Sequence, residues 1–412
     1  MQAEILTIGD ELCRGEIVDT NSSWLAARLW DMGVTASFMT SCRDERGDML
    51  AALAAATARA PLVLISGGLG PTEDDLTVDV IAEALGVEVM VDEPSVERMR
   101  ARFERAGYTL TPNNVRQCRA PAGAEVFANP AGLAPGFGVK LGGAAVFAMP
   151  GVPREMQAIF DAHVASRVAA LAEQSERIAK RIYRVFGKGE SHIDFALRGI
   201  TDGVAGATVH YQVVFPETLV KLVVRGDDGD AAESRVAAMD LVLRERLGEL
   251  AYAEGADSMS AALGRALRER GQTLTVAESC TGGMLGALIT DVPGSSDYFQ
   301  GGWMVYSNEA KQRELGVRAE TLAAHGAVSK ETVEEMARGA RSRAGTTWGV
   351  AISGIAGPGG GTPDKPVGTL HIALDGPRAV HRTLVYPGMR DQVRRLAAYW
   401  AMAMLLKEVR RG

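Results

Sequence analysis

The chain has 412 residues, 47% of them hydrophobic and 23% charged, with a formal net charge of -7. That length exceeds a single core and predicts two or three domains of an ordinary soluble globular protein. The acidic balance, with no long run of Lys or Arg, argues against direct nucleic-acid binding, which needs a clustered basic face. Cys13, Cys42, Cys118 and Cys280 form no CxxC pair, so a structural zinc site or disulfide framework is not expected and a reducing compartment fits. The N-terminus lacks a basic, then apolar, leader, and no apolar run is long enough to span a bilayer, so the expectation is a cytoplasmic protein.

In chain order, Ala3–Ile8 reads as a short buried strand ending at Gly9. A helix follows from about Asn21 to Met32, with Trp24, Leu25, Leu29 and Met32 at helical spacing and Gly33 closing it. Asp48–Arg59 is an Ala-rich helix, Leu62–Ile65 a second apolar strand, and residues 66–75 a Gly-rich loop leading into a helix that ends near Leu85. This alternation predicts an α/β layer with a mostly parallel sheet. Phe137–Met149 predicts two strands turning at Gly142-Gly143, and Pro150-Gly151-Val152-Pro153 breaks the chain before another helix.

From about Arg181 the pattern becomes that of a small α+β module, assigned to residues 171–250. It comprises a strand at Ile182–Phe186, a helix that Ser191 can cap, a half-exposed strand at Thr218–Arg225 and a charged helix from about Asp230 to Leu247. Lys188, Glu190, His192 and Asp194 gather at the helix start. They suit a metal or catalytic role, but a structural spacer or dimer contact is the simpler reading. Ala251–Asp257 reads as a linker. Ser258–Arg270 is an amphipathic helix stopped by Gly271, Leu274–Ala277 is a strand feeding a Ser/Thr/Gly-rich turn, and Trp348–Ser353 is another buried strand.

Two loops carry chemistry. In Ser66–Asp75, free backbone N–H groups after a buried strand make an anion site suited to phosphate. Glu73, Asp74 and Asp75 would repel that anion unless a divalent cation lay between them; the alternative is that Thr72, Asp74 and Asp75 only cap the helix. In Glu278–Gly283, Ser279 sits at a strand-to-helix turn with Thr281, Gly282 and Gly283 as backbone donors, while Tyr306 and Lys311 follow downstream. A Tyr or Lys can take a serine proton if burial depresses its pKa; otherwise Tyr306 packs in the core and Lys311 is a solvated surface residue.

The segment ISGGLGPTEDDLT, Ile65–Thr77, resembles the signature of the molybdopterin-binding (MoaB/MogA-like) fold as it appears in CinA proteins. Gly15–Asn21, Asn129 with Ala134–Phe137, and Met149–Met156 match in the same order. The resemblance implies a three-layer domain over residues 1–170 that hydrolyses ADP-ribose to AMP and ribose 5-phosphate with a divalent metal. It implies that Gly67, Gly68 and Gly70 cradle substrate, Asp74 and Asp75 hold the metal, and Asp19 and Asn21 orient the substrate, with Glu155 a further candidate. Ser41-Cys42-Arg43-Asp44 departs from the Val-Gly-Asp of many relatives, although Asp44 keeps the carboxylate.

From Ala277 to Gly368 the chain resembles the nicotinamide-nucleotide amidase (PncC) domain of CinA proteins, in the blocks AESCTGG, VPGSSDYFQGG, VYSNEAK, HGAVS, GIAGPGGG and KPVGT. The resemblance implies an α/β amidase domain over residues 257–412, converting nicotinamide mononucleotide to nicotinate mononucleotide and ammonia without a cofactor. Ser279 would be the nucleophile, Tyr306 and Lys311 would handle protons, and Thr281, Gly282, Gly283, Ser353, Gly357 and Arg390 would contact substrate. Ser353 stands where relatives carry Thr, and Met389 replaces a commonly polar residue before Arg390. Cys280 is the competing nucleophile, but no His lies in the adjoining motif to activate a thiol, and His325 could approach it only in space. The family further implies a homodimer that takes small nucleotides, with no membrane. Readings of other classes are a non-catalytic pterin-binding protein and a partner in DNA uptake or damage response.

Overall fold

The computed structural model describes residues 1–172, 177–226 and 229–411. They form two compact units: Met1–Ile178 with Arg225–Ala232, and Ala179–Val224 with the chain from Glu233 onward.

The strands of the first unit are β1 (Gln2–Ile8), β2 (Thr35–Cys42), β3 (Leu62–Ser66), β4 (Val89–Val91), β5 (Arg119–Pro121), β6 (Glu125–Phe127), β7 (Gly136–Leu141) and β8 (Ala144–Met149). One sheet has the order β2-β1-β3-β8-β7-β6, and β4 pairs with β5 apart from it. β1 runs parallel to β2 and β3, and β3 parallel to β8, while β7 is antiparallel to both neighbours. Every residue of β3 is buried, as a strand covered on both faces requires. Leu6, Val63 and Ile65 pack on Met49 and Leu53 of helix Arg46–Arg59 and on Ile81 of helix Thr77–Leu85. Ile5, Leu62 and Leu64 face the other way, onto Leu25 and Leu29 of helix Thr20–Asp31 and onto Met156 and Phe160. The period-2 alternation therefore builds the expected helix–sheet–helix sandwich. The hairpin at Gly142-Gly143 forms as its sequence indicates, pairing Leu141 with Ala144.

In the second unit, β9 (Arg177–Val185), β10 (Ala207–Val214), β11 (Glu217–Gly226) and β12 (Ala251–Glu254) form a sheet of order β10-β11-β9-β12. Then β13 (Leu274–Glu278), β14 (Phe299–Met304), β15 (Trp348–Gly354), β16 (Thr369–Asp375) and β17 (Val380–Val385) form a second sheet, β14-β13-β15-β16-β17. β13 is parallel to β14 and β15, and β16 is antiparallel to β15 and β17. Val276, Val350 and Ile372 pack on helices Met259–Glu269 and Arg390–Arg411, and Ala277, Ala351 and Ala373 on helix Lys330–Ala344. Phe186 and Tyr252 of the smaller sheet join that first core, so the two sheets share apolar packing.

Two expectations are corrected and two strands are added. Ala251–Glu254 is strand β12, paired with Tyr183–Val185, rather than a linker. Its pattern is too short to reveal a strand whose pairing is entirely long-range. Ser191 does not cap the helix Glu190–Leu197; Gly189 occupies that position and offers no side chain. The strands Thr35–Cys42 and Phe299–Met304 escape sequence reading because they are edge strands, one mostly polar and the other interrupted by Gly301-Gly302. Residues 173–176, at the start of the expected middle module, lie outside the described residues. No described helix is long and apolar enough to cross a membrane.

Candidate active sites

In the first unit, β2 and β3 lie on opposite sides of β1, so the chain reverses its direction of growth across the sheet at β1. A crevice opens outside the carboxyl ends of strands at such a switch point, where α/β proteins bind ligands. A cavity of about 670 Å³ lies there, lined by Ile8 and Gly9 after β1, Gly67–Gly70 after β3, and Pro150 and Gly151 after β8.

The loop is held by its own packing. The Thr77 hydroxyl donates to the Gly67 carbonyl (2.8 Å), and the Thr77 N–H donates to the Gly68 carbonyl (3.1 Å). Gly67 and Gly68 both adopt positive φ, and a Cβ at Gly67 would stand 2.2 Å from the Ile8 carbonyl oxygen. Only glycine fits there. The Gly67 N–H is spent on the Met149 carbonyl (3.1 Å), which removes it from the expected anion cradle and leaves the role to the following residues of the loop.

The acidic residues divide. The Asp75 carboxylate accepts from the Thr72 N–H (2.8 Å) and hydroxyl (2.6 Å), closing the turn from inside, while Asp74 is exposed at the cavity. Glu11, Asp44 and Glu155 also line it. Burial raises the pKa of the Asp44 carboxyl, opposed by the Asp10 N–H and reinforced by Glu11, Asp10 and Asp75. Among the described residues no three His, Cys, Asp or Glu side chains gather as a metal-binding group. The donor set fits a cation that a phosphate-bearing ligand brings with it, since hard divalent ions are commonly held by one or two carboxylates plus substrate phosphate. It does not form a cation site complete in the protein.

Asp19 and Asn21 are not brought to the cavity lining. Asp19 caps helix Thr20–Asp31 through the Ser22 N–H (2.8 Å) and accepts from the Thr7 hydroxyl (3.0 Å). Asn21 donates to Ser66 Oγ (2.9 Å) and to the Gly151 carbonyl (2.7 Å), tying the ends of β3 and β8 together. Both are structural braces of the rim. Asn129 has a similar part: it donates to Glu155 (2.7 Å) and accepts from the Ala131 and Gly132 N–H groups. Sequence reasoning missed Arg102 and Arg154, which line the cavity and donate to the Gly132 and Ala131 carbonyls. Arg154 was visible inside the motif after Pro153; nothing local signals Arg102.

The second unit repeats the topology. β14 and β15 flank β13 on opposite sides, and Ser279 follows the last residue of β13 directly. Lys311 is 1% exposed, the reverse of the solvated surface residue that a lone lysine suggests. Its Nζ meets Ser279 Oγ (3.1 Å), the Val305 carbonyl (2.8 Å) and the Tyr306 carbonyl (3.1 Å). Burial lowers the Lys311 pKa from its ordinary value of 10.5. In the neutral amine, two N–H bonds satisfy the two carbonyls and the lone pair remains for the Ser279 hydroxyl.

Glu278 fills the end of helix Met284–Thr290. Its carboxylate accepts from the N–H groups of Gly283 (3.0 Å), Leu285 (3.1 Å) and Gly286 (2.8 Å). The Gly283 N–H is therefore not a donor for substrate, contrary to expectation, and the Gly282 N–H closes the turn onto the Ser279 carbonyl (3.1 Å). The Thr281 side chain is fully buried with no hydrogen-bond partner for its hydroxyl, and its carbonyl accepts from Arg394 (2.7 Å). Cys280 is buried among core residues, and burial pushes its thiol up to about 12. The thiol is therefore protonated at neutral pH, and the side chain that meets Lys311 Nζ is that of Ser279. His325 is engaged elsewhere, beside Glu331 (3.7 Å).

Ser353 is buried and donates to the Ala327 carbonyl (2.7 Å), pinning the HGAVS segment to β15. Tyr306, expected to handle protons or pack in the core, has an exposed ring whose hydroxyl meets Arg390 Nη2 (3.5 Å). Arg390 Nη1 donates to the Gly357 carbonyl (2.7 Å), so the fold brings Tyr306, Gly357 and Arg390 together from three distant segments. Arg394, which sequence reading missed, lies one turn beyond Arg390 on the same helix face. That i, i+4 spacing was the available signal.

These are two α/β sandwiches, each with a polar site at the switch point of its sheet. The model of the CinA C-terminal domain matches residues 256–409, that of the probable molybdopterin binding domain residues 4–170, and that of the damage-inducible protein CinA KH domain residues 180–253. A CinA-like protein of Anaeromyxobacter dehalogenans is 46% identical, covering 98% of this chain and 99% of its own. One of Myxococcus xanthus is 40% identical over 98% and 97%. Among solved structures, the competence/damage inducible protein CihA of Agrobacterium tumefaciens is 37% identical over 37% of this chain and 96% of its own, with a TM-score of 0.35. A molybdopterin biosynthesis protein of Mycobacterium abscessus is 16% identical over 42% and 94%, with a TM-score of 0.30. The chain belongs to the CinA family.

Proposed function

We propose that the second unit hydrolyses the carboxamide of nicotinamide mononucleotide, and that the observation carrying this reading is the buried Lys311 amine 3.1 Å from Ser279 Oγ. A lysine desolvated beside a serine acts as its general base. The Ser279 Oγ–H proton passes to Lys311 Nζ as Oγ bonds the amide carbon. In this turn the Ser279 and Gly282 N–H groups are spent on the Ile352 and Ser279 carbonyls, so those of Cys280 and Thr281 receive the oxyanion. Lys311 then gives its proton to the departing nitrogen, the C–N bond breaks, and ammonia leaves an ester on Ser279. Water opens that ester, losing its proton to Lys311, and the serine proton is restored. Arg390, with Tyr306 beside it, takes the phosphate of the nucleotide.

The first unit, in the same reading, cleaves ADP-ribose to AMP and ribose 5-phosphate. The loop after Gly67 presents N–H donors to the pyrophosphate, and Asp74 and Asp75 would hold a divalent cation. When bound, that cation supplies charge neutralisation between carboxylates and phosphates. A homodimer belongs to the same proposal, and light scattering on the intact chain tests it.

The deciding experiment measures ammonia release from nicotinamide mononucleotide by the intact protein and by Ser279→Ala. Release that vanishes in the folded variant supports the reading. No release from the intact protein sinks it.

A further inference from the structure

A second cavity, which shares no lining residue with the Ser279 site, lies where the small four-stranded sheet meets helix Arg390–Arg411 within the second unit. Its volume is about 580 Å³, inside the roughly 300–1,000 Å³ typical of small-molecule sites. The floor is apolar: Leu250, Met259, Met404 and Leu406, with Phe186 and Trp400 on the wall, their rings 4.9 Å apart and edge-on. The rim is cationic. Lys188, Arg382, Lys407, Arg410 and Arg411 line the cavity against the single carboxylate of Glu249.

Some of that charge is already used. Lys407 pairs with Glu249, Arg411 pairs with Glu408 (2.9 Å), and Arg410 donates to the Tyr252 carbonyl (2.8 Å). Lys188 and Arg382 have no carboxylate partner among the described residues. The Arg382 guanidinium rests instead on the Trp400 ring, 3.6 Å from its centroid. Burial lowers the Arg382 pKa with no acidic group acting against it. With Lys407 and Arg411 neutralised by Glu249 and Glu408, Lys188, Arg382 and Arg410 leave a net positive field over the apolar floor in an otherwise acidic chain.

We infer that this cavity binds an aromatic anion of nucleotide size, a base on the apolar floor and phosphate between Lys188 and Arg382. Arg suits phosphate through its planar fork and Lys as a point charge. The floor and aromatic wall supply the base-stacking area that a bare phosphate would leave unused. Because the site joins the small sheet to the helix that carries Arg390 and Arg394, a ligand there also braces the two sheets against each other.

The test uses AMP as the probe on the full-length protein, read by tryptophan fluorescence and equilibrium dialysis, with inorganic phosphate in parallel. Trp400→Phe removes the local signal, and Lys188→Ala/Arg382→Ala removes the unpaired charges. The expected result is a saturable AMP-dependent change that Trp400→Phe abolishes. The double variant should bind about tenfold more weakly or worse, and phosphate should bind more weakly than AMP. An unchanged far-UV circular dichroism spectrum and thermal unfolding midpoint report that the double variant is folded. An AMP response that survives Trp400→Phe and is unmoved in the double variant overturns the inference, as does no binding at millimolar AMP. Equal affinity for phosphate and AMP overturns the aromatic part.

Discussion

The two switch-point sites occupy equivalent places in their sheets and solve the problem of a helix start in opposite ways. In the first unit the loop after β3 holds its shape with a side chain from below, Thr77, and leaves an open, carboxylate-lined cavity. In the second, Glu278 turns inward onto three N–H groups of the helix end, and the polar group facing Ser279 is the amine of Lys311. On the proposed reading, the first site receives an anion and the cation that accompanies it. The other fills the helix end with its own carboxylate and, on the same reading, offers Ser279 as nucleophile and Lys311 as base. Equivalent topology therefore sets where chemistry happens, and the side chains set which chemistry.

The sharpest way to break this comparison is Ser279→Ala, expected to lower ammonia release by about 10³-fold or more while leaving ADP-ribose turnover intact. A parallel fall in both activities would show that the sites are not independent. Next, Lys311→Met should cost about 10²–10⁴-fold in kcat/KM, the range of general-base catalysis. The sign of its pH dependence follows from the lowered Lys311 pKa. The neutral amine is the active form, so wild-type kcat/KM should rise with pH through an apparent pKa below 10.5. A flat or falling profile over that limb would remove Lys311 as the base.

In the first unit, Gly68→Ala places a Cβ 2.2 Å from the Thr77 hydroxyl at a positive φ. It should destabilise by about 1–3 kcal/mol and impair ADP-ribose turnover, with ammonia release unaffected. Thermal unfolding with both assays checks it. The smallest effect is expected from Cys280→Ala. On the proposed reading its buried thiol only packs, so ammonia release should change by no more than about threefold, with stability lower by about 1 kcal/mol. Loss of activity in a folded Cys280→Ala protein would reinstate the thiol.

Local pattern determined much of this protein. Runs such as LVLIS, the glycines that only a positive φ or a close carbonyl explains, and the helix stops at Gly86 and Gly271 are short-range facts, and they were legible. The family motifs likewise marked Ser279, Lys311 and Arg390. What tertiary structure decided is the state of each group. Val305 and Tyr306 lie only six and five residues from Lys311, but Ser279 lies 32 residues away, so no local window could show that Nζ meets its hydroxyl. The same holds for Tyr306, turned outward to Arg390 across 84 residues, and for Asp19, spent on a helix cap and on Thr7. Strand β12 exists only because Tyr183–Val185 pairs with it. Hydrogen-bond partners and desolvation are long-range properties, and they separate a catalytic side chain from a brace carrying the same functional group.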